Sequence, residues 1–161
     1  MIFDIIKYPN KALTRKTKRV VKVDDETKKL IDDMVETLYA KRGAGLAANQ
    51  VGVSKRILLA GDSRGNGSVM VLINPRITKK KGAEIMTEGC LSLPGLELEI
   101  KRPAAIEVEY LNRQGRPKKI KASDLLARII CHETDHLDGK TMLDRLSLLK
   151  RLKLKRQLKR K

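Results

Sequence analysis

The sequence predicts an α+β fold: antiparallel β-sheets packed around a central buried helix that carries an H-E-x-x-H motif, with an amphipathic helix towards the N-terminus and a basic helix at the C-terminus. Three observations lead there. Short apolar or alternating runs, broken by turn residues, fill the chain from Lys55 to Ala122 and read as strands. A helical stretch ending at Gly139 has apolar residues on nearly every side, the mark of a helix covered all round. The 161 residues hold 41% hydrophobic and 34% charged side chains with no linker or internal repeat, so residues 1–161 read as one domain able to bury a core unaided.

Met1 to Val23 is an extended arm with a turn at Pro9-Asn10. Asp24 opens the first helix: acids at 24, 25 and 26 suit its positive end, and Leu30, Ile31, Met34, Val35 and Leu38 recur at helical spacing. Lys41-Arg42 followed by Gly43 closes it. The next stretch, Gly43-Ala44-Gly45-Leu46-Ala47-Ala48-Asn49-Gln50-Val51-Gly52, contains G-x-G-x-x-A, but a dinucleotide loop must follow a strand and open a long helix, and this one follows a helix and soon meets Gly52. Its small residues suggest backbone that another molecule approaches closely, with Gln50 an amide able to donate to an oxygen. Ile57 to Ala60 and Val69 to Ile73 read as buried strands, joined by Asp62 to Ser68 and stopped by Asn74-Pro75. Leu96 to Ile100 and Ile106 to Tyr110 alternate as half-buried strands do, and Asn112 to Gly115 turns the chain towards Pro117 to Lys121 as a hairpin. Before them, Glu88-Gly89-Cys90-Leu91-Ser92-Leu93-Pro94-Gly95 reads as an irregular segment that carries a thiol.

The buried helix starts near Ser123 or Asp124 and holds both histidines of the protein, in His132-Glu133-Thr134-Asp135-His136. Residues four apart lie one turn above each other, so both imidazoles can grip one ion with Glu133 beside it. Leu125 and Ile129 share that face and line an apolar pocket, Arg128 reaches its rim, and Asp135, which could itself be a third ligand, is expected rather to support a histidine from its far side. Cys90 supplies a third ligand from its separate segment. Three ligands leave a fourth position for water, which is how a catalytic site is built. The ion acidifies that water, Glu133 takes its proton, the oxygen attacks a carbonyl carbon, and Glu133 returns the proton to a leaving amine. Gln50 and the backbone N–H of Leu91 are the candidate donors to the developing oxyanion. The reaction is amide hydrolysis, and ligand softness alone suggests zinc.

Charge is the second strong signal: 36 Lys and Arg against 19 Asp and Glu give +17, a field that favours polyanions such as RNA. Phe3, Tyr8, Tyr39 and Tyr110 are the only aromatic side chains, which argues against base stacking and sequence-specific readout and leaves contacts to phosphates. The tail from Arg145 to Lys161 holds nine Lys or Arg and no acid, with Leu146, Leu149, Leu152 and Leu158 along one side. It reads as a basic amphipathic helix that docks by its leucines, meets an acidic surface, or does both. No apolar run approaches a membrane span and no secretory signal precedes Tyr8, so a reducing cytoplasm with Cys90 and Cys131 unpaired is expected.

Together, Gly43 to Gln50, Glu88 to Ser92 and His132 to His136 resemble the three signature motifs of peptide deformylase, in that family's order, and the resemblance spans almost the whole chain. It implies removal of formate from the N-formyl-methionine end of new bacterial or organellar polypeptides. It implies Cys90, His132 and His136 as ligands, Glu133 as acid and base, Gln50 and Leu91 as oxyanion partners, and Gly45, beside Ala44, as a backbone contact to substrate. It implies ferrous iron as the usual native metal at a site that can also hold zinc, nickel or cobalt, and the α+β fold read above. The basic tail then gains a candidate partner in the ribosome. Two positions depart from the pattern: Asn49 stands where many members have Pro or Thr, and Cys131 where Gln is common.

Overall fold

The computed structural model describes residues 1–61 and 68–160, so nearly all of the Asp62 to Ser68 connection lies outside the described residues. After the arm comes α1 (Asp25–Ala40), capped by the Asp24 carboxylate accepting from the Thr27 amide at 2.8 Å. A short strand, β1 (Gly45–Ala47), and a 3₁₀ turn (Ala48–Val51) lead to β2 (Ile57–Ala60), β3 (Met70–Lys81), β4 (Glu84–Cys90), β5 (Leu93–Arg102), β6 (Ala105–Leu111) and β7 (Pro117–Ser123). Then follow α2 (Asp124–Leu137), a 3₁₀ turn (Met142–Arg145) and α3 (Leu148–Lys159). Five strands form an antiparallel sheet in the order β1-β2-β3-β6-β7, and β4 pairs with β5 alone.

The larger sheet lies between two helices. Ile57 and Leu59 of β2, with Ile73, pack towards Ile31, Met34 and Leu38 of α1, while Leu58, Ala60, Leu72, Ile106 and Val108 pack towards Ala127, Ile130 and Cys131 of α2. Neighbouring residues of a strand point to opposite faces, so a strand covered on both sides must be apolar throughout. This is why Ile57 to Ala60 is an unbroken apolar run and why all four residues are fully buried. From Ala127 to Leu137 every residue of α2 is buried as well. A third cluster joins Leu93 and Ile100 of β5 to Met142, Leu143 and Leu146 and to Leu154 and Leu158 of α3.

Three expectations need correction. Asn74-Pro75 does not stop a strand: β3 runs on to Lys81 through a bulge between Ile73 and Arg76, where Asn74 adopts φ 52° and its amide both accepts from and donates to the Val20 backbone at 2.8 Å. At a bulge the missing proline N–H costs no ladder bond. Cys90 ends a strand rather than sitting in an irregular segment, because β4 pairs with β5 from Glu84–Arg102 to Cys90–Leu93. The tail leucines do not form one stripe, since the helix starts only after Ser147. Leu146 is extended, Leu154 and Leu158 face the body, and Leu148, Leu149 and Leu152 are exposed at 61%, 81% and 47%. No helix among the described residues is long and apolar enough to cross a membrane.

Candidate active site

The end of β4 delivers Cys90 to the flank of α2 where His132 and His136 lie one turn apart, their rings edge to face with centroids 5.0 Å from each other. One donor atom from each of the three residues lies within 4.8 Å of the others, and the Cys90 Sγ is 3.2 Å from His136 Nε2. Sulfur and nitrogen donors that share one tetrahedral ion stand about 3.5 Å apart, so this set can close on a single cation with little movement. His132 Nδ1 is engaged by Glu88 Oε1 at 2.8 Å, which leaves its other nitrogen for the ion. Both cysteines are free thiols, and Cys131 faces the core.

Around these residues lies a buried ionic network. Arg102 donates to Glu88 Oε2 at 2.6 Å and to Asp135 Oδ2 at 2.9 Å; Arg128 donates to Glu88 and to the carbonyls of Ile100 and Glu84; Arg145 closes on Asp135. Asp135 therefore supports arginines, and the carboxylate behind a histidine is Glu88. Arg128 lines the cleft but is not free at its rim, because its guanidinium is spent inside. Burial works against charge on Glu88, yet bonds from His132 and Arg102 outweigh it and hold the carboxyl down at about 2. The sequence reading missed both Glu88, whose place two residues before Cys90 matters only once β4 is known to be a strand, and Arg102.

Glu133 is buried at the floor of the cleft, and burial pushes its carboxyl up to about 7 against the pull of His132 and Arg102. Among the described residues its Oε2 is buried without a hydrogen-bond partner, as a reactive atom can be, and so is His136 Nδ1, the ring nitrogen turned away from Cys90. Gly45 lies against it: a Cβ there would stand 2.6 Å from Glu133 Oε1 and 2.8 Å from Ile129 Cγ2. Gln50 accepts from the Ala47 amide at 2.9 Å and points its Nε2 at Ser92 Oγ (3.1 Å) and towards Cys90 Sγ (3.8 Å). Asn49 donates to the carbonyls of His136 and Ala12, tying the arm to the helix. A cleft of about 450 Å³ brings together Ala44, Gly45, Gln50, Cys90, Leu91, Leu125, Ile129, His132 and Glu133. It is flanked by β1 and β4, each an end strand of its sheet.

Comparison with known proteins points the same way. The sequence profile of the family described as polypeptide deformylase matches residues 2–152. A peptide deformylase of Picosynechococcus is 50% identical over 141 residues, covering 85% of this chain and 75% of that one. One from Thermodesulfovibrio yellowstonii is 44% identical over 162 residues, covering 99% of this chain and 98% of its own length. The crystal structure of peptide deformylase from Ehrlichia chaffeensis superposes with a TM-score of 0.91 at 40% identity, covering 99% of this chain and 96% of the other.

Proposed function

The chain belongs to the polypeptide deformylase family, and on that premise we propose that it is a cytoplasmic hydrolase that removes the formyl group from the N-terminal formyl-methionine of nascent polypeptides, releasing formate. Residues 1–161 form its catalytic domain. The observation that carries this reading is the meeting of Cys90, His132 and His136 beside a buried, half-unsatisfied Glu133 at the floor of a cleft between two strand edges.

Cys90, His132 and His136 would hold one divalent cation, ferrous iron as the family resemblance implies, with zinc, nickel and cobalt suited to the same donors. When bound, it supplies Lewis acidity that activates water and polarises the formyl carbonyl. Glu133 takes the proton from the attacking water and passes it to the leaving amine, a task suited to a carboxyl held near neutrality. Gln50 Nε2 and the Leu91 amide donate to the carbonyl oxygen as charge develops on it. Gly45 and Ala44 present backbone to the extended peptide, and Leu125 and Ile129, backed by Arg128, form the wall for the methionine side chain. The basic tail from Arg145 to Lys161 offers a phosphate-binding surface for the ribosome.

Formate release from formyl-Met-Ala-Ser by protein loaded anaerobically with ferrous iron tests the reaction. Glu133→Ala must abolish turnover while leaving metal binding intact; turnover that survives this substitution overturns the assignment of Glu133.

A further inference from the structure

Arg42 occupies a position where glycine is the natural residue. It follows the last turn of α1, where the Lys41 amide donates to Thr37 O and the Gly43 amide to Leu38 O, and its φ is 55°. Helices commonly leave through this left-handed conformation on glycine, which adopts it freely, whereas any side-chain residue is strained there. A cation near the helix C-terminus is favourable, but Lys41 already supplies one. The side chain of Arg42 must therefore do something that glycine cannot. Among the described residues Arg42 is exposed, enters no ion pair, and lines the mouth of the cleft. The other charged residues of the cleft wall are committed: Glu88 and Arg128 bind each other, and Glu133 and His132 lie at the reacting centre.

The direction of the substrate follows from the strands. Gly45, the first residue of β1, abuts Glu133, so the formyl end lies there, and a peptide running antiparallel to the segment that leads into β1 passes Ala44 and Gly43 towards Arg42. Three residues of extended substrate span about 10 Å, which carries its third residue to the mouth of the cleft that Arg42 lines. We propose, on the deformylase reading, that Arg42 selects among formyl-methionyl peptides, favouring an acidic third residue and disfavouring a basic one.

Three peptides with amidated C-termini, formyl-Met-Ala-Asp, formyl-Met-Ala-Asn and formyl-Met-Ala-Lys, separate the cases. The iron-loaded enzyme at low salt is expected to show kcat/KM falling in that order, with the Asp to Lys ratio about three- to tenfold and shrinking towards one as salt screens the pair. In Arg42→Glu the order reverses. Should that variant fold poorly, Arg42→Lys is expected to keep the preference and Arg42→Ala to lose it. A ratio of one in the native enzyme, or the same ratio in every variant, overturns the proposal while formate release still upholds the reaction; no formate from any peptide overturns both.

Discussion

Gly45 has no room for even one more carbon, since a Cβ would press on both Glu133 and Ile129. Gly45→Ala is therefore expected to lower kcat/KM by about a hundredfold or more and stability by about 1–3 kcal/mol, because the added carbon both misplaces Glu133 and overpacks its surroundings. Glu133→Gln should cut kcat by about 10²- to 10⁴-fold. The same substitution carries a pH signature in protein stripped of metal. The Glu133 carboxyl sits at about 7 in the fold against an ordinary 4.5. A group raised in this way stabilises fully below its unfolded value, and that contribution is lost as pH rises through about 7. Burying the charge thus costs roughly 3 kcal/mol at high pH. Thermal melts of chelated Glu133→Gln against chelated native protein should separate at pH 8 in favour of the variant and converge at pH 4; equal gaps at both would refute this account.

At the scale of elements, what could be read in the sequence depended on periodicity. Helix α1 was legible because Leu30, Ile31, Met34 and Leu38 sit on one face and are buried. The hairpin of β6 and β7 was legible because its turn residues are Asn112 to Gly115 and its partners run from Leu111–Pro117 to Ala105–Ser123. Strand β4 was not: Ile85 and Met86 are exposed, so no alternating burial marks it, and its pairing depends on β5 rather than on its own residues. Strand β1 is three residues long, too short for any period to show. The metal-capable grouping of Cys90, His132 and His136 was legible from residue type and from the four-residue spacing of the histidines, whereas Arg102 reaches the site only through tertiary packing. Helix α3 divides its leucines between two directions, and this separates its roles. Removing the inward Leu154 side chain with alanine should lower stability by about 1–3 kcal/mol, as at other partly buried leucines. Reversing the charge of Lys153, Arg156 and Arg160 should not lower the melt, and should weaken ribosome co-sedimentation in a salt-dependent way while sparing hydrolysis of short peptides. Unchanged co-sedimentation would remove α3 as a docking element.

Across the whole molecule, +17 charges repel one another wherever they are not paired. Raising salt from about 10 mM to about 150 mM shortens the Debye length from about 30 Å to about 8 Å and should raise the melting temperature by several degrees. Chelation should act in the opposite sense. A ligand at a hundredfold excess over its dissociation constant stabilises by about 2.7 kcal/mol, so stripping the metal should lower the melt, with Cys90→Ser insensitive to chelator. The buried ionic network draws on Glu88, Arg102, Arg128, His132, Asp135 and Arg145, spread over more than a third of the chain. Synthesis runs from the N-terminus, so Arg145 is the last of them to be made. Until it emerges, Asp135 has only one of its two cations and the helix bearing both histidines stays incompletely anchored. The ionic network behind the cleft is thus complete only once Arg145 has been made.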